Sequence, residues 1–548
     1  MKQIRFLVLL MAAFLLTGLF AGCNTNAGTV TPTPSSQSGS PSSTPATETP
    51  GSELPYPKLS AEPVEVTVWQ TFSANYIASM NDSEFVNYLE EVTNVRLKFK
   101  EASPADASTA FNLMINSGDY ADIIRPESLQ YPGGPDKAIA DGVYLRLNEY
   151  IEKYAPNYAA KRTVTPDVAR QTITDSGNIW SMYTLNDPAE YPWNGLALRG
   201  DILEKKGLDL PVTLNDWENA FKAFMDEGVE YPLLFDMSGV SLNSEFLSAF
   251  QIGKEFFQKN GKVYYGYIEP EFKEYLTLMN DWYNKGYIDR EFTTRGVNFA
   301  IFGGDPLTQI LNGKSAAGLF PWGYTANAKA VDGSTTIEGF YLSPVSAPVR
   351  NVGDTIHFRF TSPEAKTPNA VSTACENVEL VIRLMDYLYT DEGALLMNYG
   401  KEGISYTMQD GKPVYTDIIL KNPDGFSFDA VLYKYTWFDG VGMGDFKRLW
   451  QGFIGTPAEK ALDAYNVWNK DKNDYMLPIA LTMTAEEGQE YSVTYGDIQT
   501  YVYETIPQFI IGSKPISEFD DFVNQIKAMG IDRCIELQQN ALDRYNAR

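Results

Sequence analysis

Histidine and cysteine, on which most nucleophilic and zinc chemistry depends, are scarce in this chain of 548 residues. It has one histidine, His357, and three cysteines, Cys23, Cys375 and Cys534. A single imidazole excludes His-rich zinc sites, and any Ser-His-Asp or Cys-His centre that does not use His357 itself. Three thiols cannot form a four-Cys metal site or a disulfide scaffold. His357 therefore reads as a structural or surface residue, and Cys375 and Cys534 as buried small hydrophobes. A disulfide between those two stays open, because the sequence does not place their Cα atoms. Acids are plentiful, and two suitably spaced carboxylates would suffice for glycoside hydrolysis, but no paired-acid motif is recognisable. The other abundant chemistry is aromatic: 34 Tyr, 30 Phe and 9 Trp. Aromatic faces accept the C–H faces of a soluble sugar, while amides, carboxylates and guanidinium groups pair with its hydroxyls. The supply permits such a site, although most of these rings must serve the core.

Charge narrows the partners. Lys and Arg number 44 against 70 Asp and Glu, a net charge of −26 at pH 7. That balance argues against nucleic-acid binding, which needs a cationic surface, and against electrostatic docking on anionic lipid. The length predicts two or more domains, or one large two-lobed body.

The N-terminus carries an address. Lys2 and Arg5 precede an apolar run from Phe6 to Phe20, followed by Ala21, Gly22 and Cys23. This is the layout of a secretory signal, too short for a comfortable membrane span. Leu19-Phe20-Ala21-Gly22-Cys23 resembles a bacterial lipobox, in which the Cys is acylated and becomes the mature N-terminus. Lipoboxes usually carry Leu three residues before that Cys; here Phe20 holds the place. Residues 1–22 thus read as a lipoprotein signal peptide, with Cys23 as the lipidation site. Of the 24 residues 29–52, 18 are Ser, Thr or Pro, so no core can form there and 23–60 reads as a tether. Lipid plus tether predicts a folded body held at the extracellular face of a bacterial cell membrane.

Within that body, Val64 to Trp69 alternates as a strand and Glu84 to Glu91 has helical spacing. Val95 to Phe99 is a second strand, Ala107 to Asn116 a second helix ended by Gly118, and Ala121 to Ile124 a short apolar strand. This order predicts an α/β lobe with a mostly parallel sheet. Further on, Pro270 opens a helix that Gly286 ends, the stripe Val378 to Leu388 lies before Gly393, and Ser315 to Phe320 reads as a strand. No internal repeat is visible.

Several segments together resemble the bacterial extracellular solute-binding proteins of ABC sugar importers, in the group of large lipoproteins related to LipO and the alginate-oligosaccharide-binding proteins. They are Phe111-Asn112-Leu113-Met114-Ile115-Asn116-Ser117-Gly118-Asp119-Tyr120-Ala121-Asp122-Ile123-Ile124, Tyr150 to Asn157, Gly266 to Leu276, Asn398-Tyr399-Gly400-Lys401-Glu402-Gly403-Ile404-Ser405-Tyr406 and Ala541 to Tyr545. Their order and spacing run along nearly the whole body.

The resemblance implies a two-lobed α/β fold of the periplasmic-binding-protein type II, with the ligand in the cleft. Lobe I is expected to comprise 61–195 and 351–404, and lobe II 196–350 and 405–548. Alginate-binding members carry a calcium loop of the form Asp-x-Asn-x-Asn-Gly. The matching stretch here, Met225-Asp226-Glu227-Gly228-Val229-Glu230-Tyr231-Pro232, is shortened and lacks the alternating oxygen ligands, so no metal and no cofactor is expected. Because α/β lobes bind at the carboxyl ends of their strands, the resemblance points to Trp322 and Tyr324 after the strand ending at Phe320. It also points to Trp69 with Gln70, Thr71 and Phe72, to Asp122 and Arg125, and to Trp193 and Asn194 before the first crossing. Glu402 and Tyr406 are expected at the return crossing, and Trp437 with Asp439 in a Gly-rich loop that could close over the ligand. The expected function is a non-catalytic, lipid-anchored receptor that captures a carbohydrate, an oligosaccharide in the first instance, by lobe closure. It would be a monomer that hands its cargo to ABC permease subunits. The alternatives are the same fold binding a peptide or other polar solute, and an extracellular glycoside hydrolase.

Overall fold

The first strand, β1 (Val64–Thr71), is β-branched and alternating, and it becomes an interior strand of a sheet rather than an edge. The computed structural model describes residues 56–126, 131–186, 192, 194–235, 244–295, 306–321, 339–359, 364–423, 428–452, 454 and 462–548. Residues 54–548 form one compact unit.

The helix α1 (Glu84–Thr93) follows β1. Ser83 opens it by accepting a bond from the Phe85 N–H, and Asn94 in the left-handed region closes it. Strand β2 (Val95–Ala102) returns parallel to β1, with Val64 opposite Val95. The helix α2 (Ala107–Ser117) leads to β3 (Ile123–Ile124), which pairs parallel to β1 on its other side. The expected strand–helix–strand–helix–strand order is thus present. Strand β4 (Ser181–Asn186) joins the same sheet further on, and the chain then enters β5 (Asn194–Arg199) of a second sheet. There β5 lies between β6 (Ala317–Pro321) and β7 (Leu342–Pro344), antiparallel to both. The helix α3 (Pro270–Lys285) packs in that second half, with Gly286 as its left-handed cap.

Strand β8 (Ala365–Val371) returns to the first sheet and inserts antiparallel between β3 and β4. The stripe from Val378 forms α4 (Val378–Tyr387). Gly393 does not merely follow it but lies inside the next helix, α5 (Asp391–Tyr399). A Cβ at Gly393 would sit 2.0 Å from the Tyr387 carbonyl oxygen, so the close approach of the two helices requires glycine. After α6 (Phe428–Tyr435), β9 (Met443–Gly444) pairs parallel to β4. The first sheet therefore has the order β9-β4-β8-β3-β1-β2, and every strand but β8 points the same way.

Two main cores follow. One packs around the first sheet and includes Phe85, Phe99, Met385 and Trp437; the other includes Trp217, Trp282, Phe272 and the C-terminal helices α7 (Ala485–Ile511) and α8 (Ile531–Ala547). Their membership differs from the expected borders at two places. Phe358 packs on Phe257 in the second core, ahead of the return at β8. Residues 437–444 pack on the first sheet, where the outer side of β4 needs a partner: the Leu185 N–H donates to the Gly442 carbonyl.

Cys375 and Cys534 are free thiols, buried one in each core. Burial, with Asp122 beside it, pushes the Cys375 thiol up to about 12. His357 stacks on Tyr475 at 4.0 Å and its Nδ1 lies 2.7 Å from an Asp474 carboxylate oxygen. The signal and tether segments, Cys23 included, lie outside the described residues.

Candidate functional site

Because five of its six strands run one way, the first sheet collects its strand carboxyl ends along one edge. That edge carries Gln70 to Phe72 at the end of β1, Arg125 after β3, Asn186 at the end of β4, Lys366 at the start of β8, and Asp445 after β9. This is the edge at which open α/β sheets bind ligands.

Arg125 is its anchor. The residue is 4% exposed, and its backbone N–H donates to the Trp69 carbonyl at 2.9 Å, extending the ladder by one step. Its Nη1 donates to Gln70 Oε1 at 2.6 Å, its Nε to Asn369 Oδ1 at 2.9 Å, and its Nη2 to the Asp439 carbonyl. The guanidinium lies 5.0 Å over the ring of Trp437.

In front of this anchor stands an aromatic series. Tyr76, in the segment after β1, is 36% exposed and stacks on Tyr433 at 4.5 Å. Phe72 meets Tyr433 edge-on at 5.6 Å, and Tyr433 meets Phe438 at 5.0 Å. Tyr433 is brought there because the last turn of α6 docks on the cap of α1: Ser83 Oγ donates to the Tyr433 carbonyl at 2.8 Å. Arg448 covers Phe438 at 4.9 Å. Beside Phe438 a small recess, partly open to solvent, is lined by Asn186, Lys366, Asp439, Phe446 and Arg448 among others. The Asp445 carboxylate accepts from the Tyr399 hydroxyl at 2.5 Å, and burial together with that carboxylate pushes the Tyr399 phenol far up. The edge thus offers ring surfaces beside an amide, two cations and two carboxylates, a combination suited to a polar ligand with apolar faces.

The structure places the expected residues unequally. Trp69, with Gln70 behind it, is at this edge, but its ring is 6% exposed and packs on Phe111 at 5.6 Å. Trp437 is 2% exposed, wedged between Phe85 and Phe99, so it is not part of a closing loop. Asp439, two residues on, is exposed. Asp122 precedes β3 instead of ending it, and it pins two strands: its Oδ2 accepts from the Thr67 N–H at 2.8 Å and from Thr67 Oγ1 at 2.6 Å. Asn194 is buried at the start of β5, opposite Pro321. Glu402 is exposed next to Lys401, which pairs with Glu91 in the last turn of α1, at the opposite end of the sheet from the strand carboxyl ends. Tyr406 is buried against Tyr399 in a small third core. Trp193, Trp322 and Tyr324 lie outside the described residues.

The sequence reading did not single out Tyr76, Tyr433, Phe438, Asn186 or Lys366. The only local signal was the pair Phe72 and Tyr76 trailing a strand; Tyr433 reads as part of a helical stripe, where an apolar face is indistinguishable from core. Among the described residues no three His, Cys, Asp or Glu side chains are grouped to hold a metal ion. In the stretch matching the calcium loop, Glu227 pairs with Lys205 and Lys206. Among the described residues no helix is long and apolar enough to cross a membrane.

The chain is 23% identical over 502 residues to the fructooligosaccharide ABC transporter substrate-binding protein FusA of Streptococcus pneumoniae, covering 85% of this chain and 88% of that one. It is 21% identical to lipoprotein LipO of Bacillus subtilis, covering 81% and 85%. Among solved structures it superposes with a TM-score of 0.70 on an HMO-binding, ABC-transporter-associated solute-binding protein of Bifidobacterium longum infantis, at 16% identity, covering 89% of this chain and 99% of that one. The fold is therefore the two-lobed α/β fold of type II solute-binding proteins. The family profile of the bacterial extracellular solute-binding proteins matches residues 77–395, more than half of the chain, and the chain belongs to that family.

Proposed function

We propose that the protein is the carbohydrate-capturing receptor of an ABC importer, tethered by a lipid on Cys23 at the extracellular face and working as a monomer. The observation that carries this reading is the aromatic series Tyr76–Tyr433–Phe438, set beside amide and charged groups at the carboxyl edge of the first sheet. Such a surface takes the C–H face of a sugar ring, while Asn186, Lys366 and Asp439 reach its hydroxyls. Trp322, Tyr324 and Trp193, outside the described residues, stay candidate ligand contacts on the family resemblance alone. Closure of the lobes on the sugar stabilises the closed state by the contacts made only there, and that state is what permease subunits engage. The relatives support an oligosaccharide: FusA is described as a fructooligosaccharide-binding component, and the Bifidobacterium protein as HMO-binding.

The test is thermal unfolding of the full chain with kestose, an alginate trisaccharide and a milk tetrasaccharide, each sample then examined for breakdown. A ligand that binds only the folded state raises the midpoint. A raised midpoint with intact sugar is the expected result. A raised midpoint with cleaved sugar would replace the receptor by a glycoside hydrolase, and a midpoint that no sugar moves would replace carbohydrate by a peptide or other polar solute.

A further inference from the structure

We propose that Arg125 is a positioning residue for the binding edge, holding the aromatic series at its working spacing without touching the ligand. The proposal rests on the carbohydrate reading. The guanidinium is a rigid planar fork that keeps its charge at any working pH and can fix several acceptors at once. Here it gathers three stretches of chain that are far apart in sequence: Gln70 lies 55 residues away, Asn369 244 and Asp439 314.

Two of those stretches carry the rings. The end of β1 at Gln70 leads directly into Phe72 and Tyr76. The Asp439 carbonyl belongs to the turn that carries Phe438 and follows α6 with Tyr433. Arg125 therefore sits behind the contact of Phe72 and Tyr76 with Tyr433 and Phe438, and its third partner, Asn369, is fixed in the sheet by donating to the Met182 carbonyl at 2.8 Å. The turn needs such a hold. Asp439 has φ 56°, a left-handed conformation that non-glycine residues rarely adopt. Its carbonyl is received by Arg125, and the next carbonyl, of Gly440, accepts from Thr184 Oγ1 at 2.8 Å. Placing a guanidinium in a site 4% exposed is costly, and a merely apolar wedge would pack there more cheaply; what the charge adds is a fixed geometry.

The test compares Arg125→Lys with the wild type as full chains. Lysine keeps the charge but offers a single point in place of the fork. The first readout is hydrogen exchange without sugar. We expect exchange across 436–442 to accelerate at least tenfold, with the strands β1, β2 and β4 unchanged. The second readout is kestose affinity, or that of whichever sugar in the panel binds the wild type; we expect it to fall about tenfold. Gln70→Met, which removes one acceptor and leaves the guanidinium in place, should move both readouts the same way by less, and it serves if the lysine variant fails to fold. Unchanged exchange over 436–442, or unchanged sugar affinity in a folded lysine variant, would overturn the proposal. A wild type that binds no sugar would overturn the carbohydrate reading instead, while the exchange result still decides whether Arg125 orders this edge.

Discussion

Two buried charges stand in the two halves of the molecule, and they are tied in opposite ways. In the first half Arg125 reaches partners 55 to 314 residues away, and through them it joins β1, β8 and the turn at Asp439. In the second half Asp289, 2% exposed, follows Ile288, which forms an isolated bridge with Leu233. Its carboxylate accepts from Arg295 at 2.8 and 2.9 Å and from the Glu291 N–H at 2.9 Å, all within six residues. Asp289 stabilises its own turn; Arg125 stabilises a relation between turns. The first kind of tie builds a local element, and the second sets the shape of a surface made from several elements.

Substitutions can break this contrast. The largest expected effect is at the ring beneath Arg125. Trp437→Ala removes a side chain packed between Phe85 and Phe99, and should lower the unfolding free energy by about 3–5 kcal/mol in denaturant titration. A loss of less than about 1 kcal/mol would mean that the ring is not core. Asp289→Ala should cost about 2–3 kcal/mol, below the full cost of breaking a buried pair because the Arg295 side chain keeps 21% exposure. Its hydrogen-exchange footprint should stop at residues 289–295; a footprint reaching the first sheet would erase the distinction between local and long-range ties.

Asp471 sharpens the contrast further, since its surroundings do not favour its charge. Burial pushes its carboxyl up to about 6, against bonds from Ser346 and Ala347 that favour the charged form. With the folded value above the unfolded one, the native state binds more protons between about pH 4 and 6, so this group's contribution is fullest below pH 4 and is lost as pH rises through 6. Asp471→Asn should therefore be of similar stability to the wild type near pH 4 and more stable near pH 7, by about 1–2 kcal/mol. A variant that gains nothing on going from pH 4 to 7 would contradict the assigned environment. The smallest effect is expected at Lys401→Ala. Its pair with Glu91 is 39% and 60% exposed, and its loss should change stability by less than about 0.5 kcal/mol.

The same contrast explains how much could be read from the chain itself. Elements set by near neighbours were legible: β1, α1, β2, α2 and β3 follow the expected order, and α3 runs between Pro270 and Gly286 as its punctuation predicts. So was the two-lobed family fold. The site was legible only in outline, because its residues are chosen by long-range packing. The Gly-rich stretch after Trp437, with Gly440, Gly442 and Gly444, suggested a loop that could close over the ligand. Gly440 instead lets the chain pass over a core ring, since a Cβ there would lie 2.5 Å from the Trp437 indole. Asp122 and Arg125 looked equivalent around one strand, yet one pins Thr67 inside the sheet and the other faces the binding edge. The series Tyr76–Tyr433–Phe438 joins residues more than 350 positions apart, which no local pattern reports.

The central claim is that this series holds a sugar. It is tested most directly by calorimetric titration of kestose, or of the panel sugar that raises the wild-type midpoint, into the wild type and into Tyr76→Ala. Tyr76 is partly exposed, so its removal should leave the unfolding midpoint nearly unchanged while sugar affinity falls tenfold or more, about 1.4 kcal/mol. Equal affinity in the two proteins, with the fold intact, would contradict the account.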